Sequence, residues 1–309
     1  MSKKKGDLLM KKRLYILLTA IVPFSILLLA GCGGSASLGS RASPDNDWPK
    51  KGVMVMPASD LSAAGFNELI DTVSGELAKI LAKTGFFNVY HQDKTKKFPL
   101  FKPGEPAHPR LVREAREMGM NAIIFETVNP IETNPVRGGT WPFRKKAGRL
   151  TVSMNIDILD VNRGTILLSR EIAEDVTVSD EEAKGQHQES TDVETKKRAL
   201  KECLPDIVKK AARLAGLSLN QEVWSCRIVS ADKEGIIINA GHDAGLRPGM
   251  VFEVFAQGES ITSWKGQIHR LPGPKVGEIK ISSIEPRHSS AQPINGTGFK
   301  TGQIVRVKD

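Results

Sequence analysis

Few side chains in this sequence are placed to do chemistry, and the first is Cys32. It stands in LLAGCGG, at the end of an apolar run from Tyr15 to Ala30, with glycine on both sides. A cysteine reacts through its thiolate, as a nucleophile. The other two cysteines, Cys203 and Cys226, both fall on apolar faces of predicted elements. His91, His108, His187, His242, His269 and His288 are scattered, with no His-x-x-x-His spacing for a metal. Asp157 and Asp160 lie near the end of a predicted strand, with no nucleophile or pKa-tuning neighbour beside them. There is no Gly-x-Ser-x-Gly elbow. Gly245-Leu246-Arg247-Pro248-Gly249 leads into a strand, whereas a phosphate loop needs Gly-Lys-Ser/Thr opening a helix. The expectation is a protein that is not an enzyme and has no cofactor or metal.

The residues before Cys32 have the three parts of an export signal. Lys3, Lys4, Lys5, Lys11, Lys12 and Arg13 give a basic start, and the apolar core follows. That core is short beside the roughly 20 residues of a membrane span. Leu29-Ala30-Gly31-Cys32 resembles the bacterial lipobox. The resemblance implies that the Cys32 sulfur takes a diacylglycerol, the chain is cut before Cys32, and the new amine is acylated. Three acyl chains hold a protein firmly where one gives marginal binding. Gly33, rather than aspartate, after the cysteine implies the outer membrane of a Gram-negative cell, facing the periplasm. The bland alternative is an uncleaved anchor helix with an incidental cysteine.

Removing residues 1–31 leaves 278 residues and takes away six Lys or Arg and one acid, so the net charge falls from +9 to +4. Much of the basic character therefore belongs to export, and nucleic acid is not an expected partner. Residues 32–50 (GGSASLGSRASPDNDWPK after Cys32) read as a flexible tether that cannot bury much apolar surface.

From 51 to 217 the pattern is an α/β layer. VMVMP reads as a buried strand, Phe66 to Leu81 as a helix with one apolar stripe, and FFNVY as a second strand. A basic loop over 91–106, a short helix through Leu111 to Met118 and a third strand, AIIFETV, follow. After a loop holding Gly138 and Gly139, RLTVSMNIDILD and residues 166–178 alternate as a hairpin about Asn162-Arg163-Gly164, with Arg170 and Glu174 on its apolar face. A helix opening near Thr191 with Glu194 contains Pro205, which predicts a kink or two helices end to end. From 221 to 309 the helical stripes stop, and short strands and glycine turns suggest a small β-barrel or sandwich. INGTGFKTGQIVRV (294–307) echoes the turn and strand of 238–254. The fold class expected is α+β: a three-layer mixed sheet with helices, then a small all-β domain.

VMVMPASD, GFFNVYHQD, AREMGMNAIIFETV and the hairpin with its closing helix resemble a family of periplasmic domains. That family includes the amino-terminal domain of TolB, the curli secretion lipoprotein CsgG, the synthase activator LpoB and the middle domain of flagellar assembly protein T. IINAGHDAGLRPGMVFEVF and VGEIKISSIEPRHSSA resemble the carboxy-terminal domain of flagellar assembly protein T. The resemblance implies a periplasmic assembly factor or adaptor that binds periplasmic or outer-membrane proteins, with homo-oligomer formation as an option. A CsgG-like channel subunit and an LpoB-like activator of a cell-wall synthase are the alternatives. With Cys32 lipidated, Cys203 and Cys226 remain as an even pair in an oxidising compartment, and a disulfide between them is expected.

Overall fold

The run Ala122–Val128 is buried at every position, because it forms a central strand covered on both faces. The computed structural model describes residues 48–62, 66–92, 101, 105–138, 145–179, 189–264, 266 and 268–308. The chain from Arg41 to Asp309 is one compact unit. Leu29, Ala30, Gly31 and Cys32, most of the tether, and most of the 91–106 loop lie outside the described residues.

The first part runs β1 (Lys51–Val55), β2 (Ser59–Asp60), α1 (Asn67–Lys83), β3 (Phe87–His91), α2 (Pro109–Glu117), β4 (Ala122–Val128), β5 (Glu132–Gly138), β6 (Lys145–Asp160), β7 (Ile166–Ser179) and α3 (Glu189–Gln221). β1 lies between β3 and β4 and is parallel to both. Parallel neighbours need crossovers, and α1 and α2 supply them. β6 is antiparallel to β4 and β5 along one side and to β7 along the other.

Period-two alternation divides the apolar residues of this sheet between two faces. One face carries Val53, Val55, Ile124, Val128, Val152, Met154, Ile156 and Ile158, packed with Leu77 of α1 and Leu200 and Ile207 of α3. The other carries Met54, Ile123, Phe125 and Leu159, packed with Leu111 and Ala115 of α2 and with Phe101, which stacks on Phe125 at 4.0 Å. Each fully buried large aliphatic side chain contributes about 1.5–3 kcal/mol. The sheet is therefore the middle of three layers.

The second part runs β8 (Ser225–Asp232), β9 (Gly235–Ile238), a 3-10 turn (His242–Ala244), β10 (Val251–Thr262), β11 (Ile268–Ile284), β12 (Ser289–Gly296) and β13 (Ile304–Val307). These strands close into a barrel in the order β10-β11-β12-β9-β8-β13. Of the two expected architectures, the structure is the barrel. Ile228, Ile238, Phe252, Val254, Ile279 and Val305 fill it, and Trp224 packs on Phe252 at 5.3 Å.

The echo in sequence is an echo in structure. Exchanging β8, β9 and β10 with β11, β12 and β13 leaves the neighbours in the barrel's strand order unchanged. Gly249 N donates to Ile281 O of β11 at 2.9 Å, and Gly302 N donates to Ile228 O of β8 at 2.8 Å, which are equivalent bonds under that exchange.

Several expectations need correction. α3 is one continuous helix through Pro205, so of the two arrangements expected there, a kink or two helices end to end, the second is excluded, and the helix runs past 217 to Gln221. Its apolar residues Cys203, Leu204, Ile207 and Val208 dock on the sheet around the proline, and that packing holds the helix through the lost hydrogen bond. The stretch before Gly138, read as loop, is strand β5, paired to the first half of β6. Pro135 within it suppresses the strand signal, and proline is tolerated there because β5 lies at the end of the sheet order, as an edge strand.

Candidate functional site

Polar side chains gather at the seam between the sheet and the barrel. Asn121 opens β4 and Asn162 sits in the β6–β7 turn, so the topology brings both to the same edge of the sheet. Asn121 Oδ1 accepts from Gly52 N at 2.9 Å, and its Nδ2 donates to Ser225 O at 2.7 Å. Asn162 Nδ2 donates to Ser225 Oγ at 2.9 Å. Arg227 Nε donates to Asn162 Oδ1 at 3.0 Å, and its Nη1 donates to Gly302 O at 2.7 Å. Asn239 Oδ1 accepts from Arg227 N at 2.7 Å, while its Nδ2 donates to Arg116 O at 2.8 Å.

Two glycines let the backbones meet. Gly119, with φ of 75°, abuts the Asn239 carbonyl, and Gly164, with φ of 72°, abuts the Ile268 carbonyl. A β-carbon at either position would strike the facing backbone. At the second contact Arg270 N donates to Arg163 O at 2.9 Å. Trp224 Nε1 closes the other side by donating to Lys50 O at 3.0 Å.

Charge is concentrated here too. Arg163 Nη1 pairs with Glu222 Oε2 at 2.6 Å. Asp160 Oδ1 accepts from Asn162 N and Arg163 N at 2.7 and 2.8 Å, fixing the turn. Burial pushes the Asp160 carboxyl up, against those two amides and the Arg163 charge. Burial also lowers Lys51 to about 8, with Glu222 opposing. Burial, then the neighbouring Arg116 and Arg270 charges, holds the Arg227 guanidinium down to about 10. The seam can couple two bodies rigidly and hold charge away from water.

The sequence candidates do not gather there as a catalytic set. Asp157 accepts from Ser169 Oγ at 2.5 Å, and Asp160 caps its own turn, so the two aspartates form no pair. Among the described residues no group of histidine, cysteine or acidic side chains could hold a metal. Sequence reasoning missed one contact with a catalytic look: Ser74 Oγ and His91 Nε2 share a hydrogen bond of 3.0 Å. Ser74 is fully buried in the middle of α1, out of reach of a substrate. Seventeen residues separate the pair, and no short-range signal in the sequence joins them.

The expected disulfide is corrected. Cys203 and Cys226 are free thiols, buried in separate apolar clusters, one under α3 and one in the barrel. Burial, followed by nearby acidic charges, raises Cys203 to about 11, and burial raises Cys226 further. Both act as small core hydrophobes.

Glu126 was also missed. It lies between Ile124 and Val128 on β4, is 1% exposed, and neither carboxyl oxygen has a partner among the described residues. Burial alone lifts its pKa to about 8.

Two features concern membranes and surfaces. The apolar face of the β6–β7 hairpin is committed to the core through Leu150, Val152, Met154, Ile172 and Val178, and Glu174 on that face pairs with Lys210 of α3. Among the described residues no helix is long and apolar enough to cross a membrane. The outer end of the β10–β11 hairpin, beyond the part of β10 that pairs with β13, is apolar and exposed: Ile261, Ile268, Leu271 and Trp264, the last 91% exposed.

No protein-family model matches the chain, and no curated protein matches it. Solved structures with some likeness include three bacterial proteins. A PelC dodecamer from Paraburkholderia phytofirmans is 12% identical, covers 55% of this chain and 91% of that one, and has a TM-score of 0.29. A hypothetical protein from Chlamydia trachomatis is 12% identical over 52% of this chain and 96% of that one, with a TM-score of 0.34. Lipoprotein B from Nitrosomonas europaea is 15% identical over 60% and 97%, with a TM-score of 0.26.

Proposed function

We propose that this protein is a lipid-anchored, non-enzymatic adaptor of the bacterial envelope, held at the outer membrane through Cys32 and facing the periplasm. It would serve an envelope machine, in the manner of flagellar assembly protein T. The lipobox sequence supports the anchor. The observation that carries the adaptor reading is the seam. Asn121, Asn162, Arg227 and Asn239 lock sheet and barrel into one body, which holds two binding surfaces in a fixed relation. A hydrolytic or transfer enzyme would instead need convergent reactive groups at an accessible cleft. The exposed hairpin end around Trp264 is the surface assigned to a protein partner, since aromatic and aliphatic anchors dominate such contacts.

A CsgG-like pore is disfavoured by a specific observation. Membrane-inserted hairpins turn apolar residues to lipid, whereas the β6–β7 hairpin turns them to α1 and α3. The test is a photo-reactive amino acid at position 264 in intact cells, followed by mass spectrometry of the cross-linked species. Envelope-machine components support the adaptor. A cell-wall synthase moves the assignment to an activator. Cross-links confined to a second copy of the chain revive the oligomeric channel.

A further inference from the structure

We infer that the seam contains a binding site for a divalent oxyanion of the phosphate class, cradled by Arg116, Arg227 and Arg270. Arg227 is 6% exposed, and two of its three guanidinium nitrogens are satisfied by Asn162 and Gly302. Its Nη2 is buried without a partner. Arg116 Nη2 donates to Val161 O at 2.8 Å, while its Nε is also buried without a partner. Arg227 holds Asn162 and Arg116 holds Val161, which are consecutive residues, so the two orphan donors belong to guanidiniums gathered around one turn. Arg270 joins them from β11, where its backbone bonds the same turn at Arg163. Its charge acts on both Arg116 and Arg227.

The balance of charge names the ligand. Arg163 is occupied by Glu222. Asp160 is the acid whose charge reaches both Arg116 and Arg227, and it spends one oxygen on its own turn. Its other oxygen lies 3.9 Å from Arg163 Nε, so four guanidiniums share two carboxylates, which leaves an excess of two positive charges. Buried cations without a counter-charge are costly. Guanidinium forks match the oxygens of phosphate or sulfate better than a halide. Arg116 and Arg270 are only half-buried, which gives the ion its way in.

This inference stands apart from the envelope reading, and its test does not depend on lipidation. Thermal unfolding of the full chain in mild detergent is followed with inorganic phosphate, with glycerol phosphate, and with chloride at matched ionic strength. Phosphate at about ten times its dissociation constant should raise Tm by roughly 2–5 °C over chloride. A larger shift with inorganic phosphate assigns a free ion, and a larger shift with glycerol phosphate assigns a headgroup-type ester. The half-exposed Arg270→Gln should abolish the phosphate shift. Broadening of the inorganic phosphate line in phosphorus NMR, reversed by excess sulfate, tests the unaltered chain without any variant. No shift over chloride, a shift unchanged in Arg270→Gln, or an unbroadened phosphate line would overturn the site.

Discussion

Arg227 Nε reaches Asn162 Oδ1 at 3.0 Å, and through that bond the barrel's first strand grips the turn between the two longest strands of the sheet. The partners are 65 residues apart and both are buried. Removing the acceptor leaves a buried guanidinium further from satisfaction, which costs more than one hydrogen bond is worth. Asn162→Ala should therefore lower stability by roughly 1–3 kcal/mol. It should also increase cleavage at the junction near Val223 in limited proteolysis. Unchanged junction cleavage would mean that the bond is not part of the coupling.

The glycine contacts give a cleaner comparison. Gly85 and Gly119 both have positive φ, of 77° and 75°, but a β-carbon at Gly85 meets nothing while one at Gly119 meets the Asn239 carbonyl. Gly85→Ala should cost about 1 kcal/mol from backbone conformation alone. Gly119→Ala should cost more, and the difference in chemical denaturation midpoints measures how tightly barrel and sheet approach. Equal losses would contradict the seam as described.

Glu126 predicts a pH dependence. Its carboxyl titrates near 4.5 when the chain is unfolded and near 8 when folded, because burial disfavours the charged form. The folded state thus holds a proton that the unfolded state releases. The stability this gives is complete below about 4.5, declines as pH rises, and is gone above about 8. Glu126→Gln should flatten this decline, with its Tm gain over the unaltered chain larger at pH 8.5 than at pH 5. A gain that does not vary with pH would show the carboxyl to be solvated.

The thiols predict an unreactive protein. Cys203 and Cys226 should resist a maleimide reagent in the folded chain, since both are buried and their pKa values are raised. Both should label fully in denaturant without reductant. A mass showing two blocked thiols under those conditions would restore the disulfide.

How much of this was legible before the structure follows from how local each signal is. Ile70, Val73, Leu77 and Leu81 mark α1 by spacing alone, and all four are buried in its core. AIIFETV reads as a two-sided strand by its continuous apolar run, although Glu126 within it gives no hint that its carboxyl is buried unpaired. The repeated glycine turns announced the barrel's halves, because a turn bond is made by residues a few apart. The seam was not legible. Asn121, Asn162, Arg227 and Asn239 are ordinary polar residues in sequence, and the bonds they make between sheet and barrel span 63 to 123 residues. The disulfide failed for the same reason: parity counts cysteines, but only the tertiary fold places Cys203 and Cys226 in different cores.

The anchor at Cys32 is the central claim, and metabolic labelling with a palmitate analogue tests it most directly. The account predicts that the full chain takes up label, fractionates with the outer membrane and loses residues 1–31, and that Cys32→Ser abolishes both labelling and cleavage. An unlabelled chain, or label and processing that survive Cys32→Ser, would contradict it.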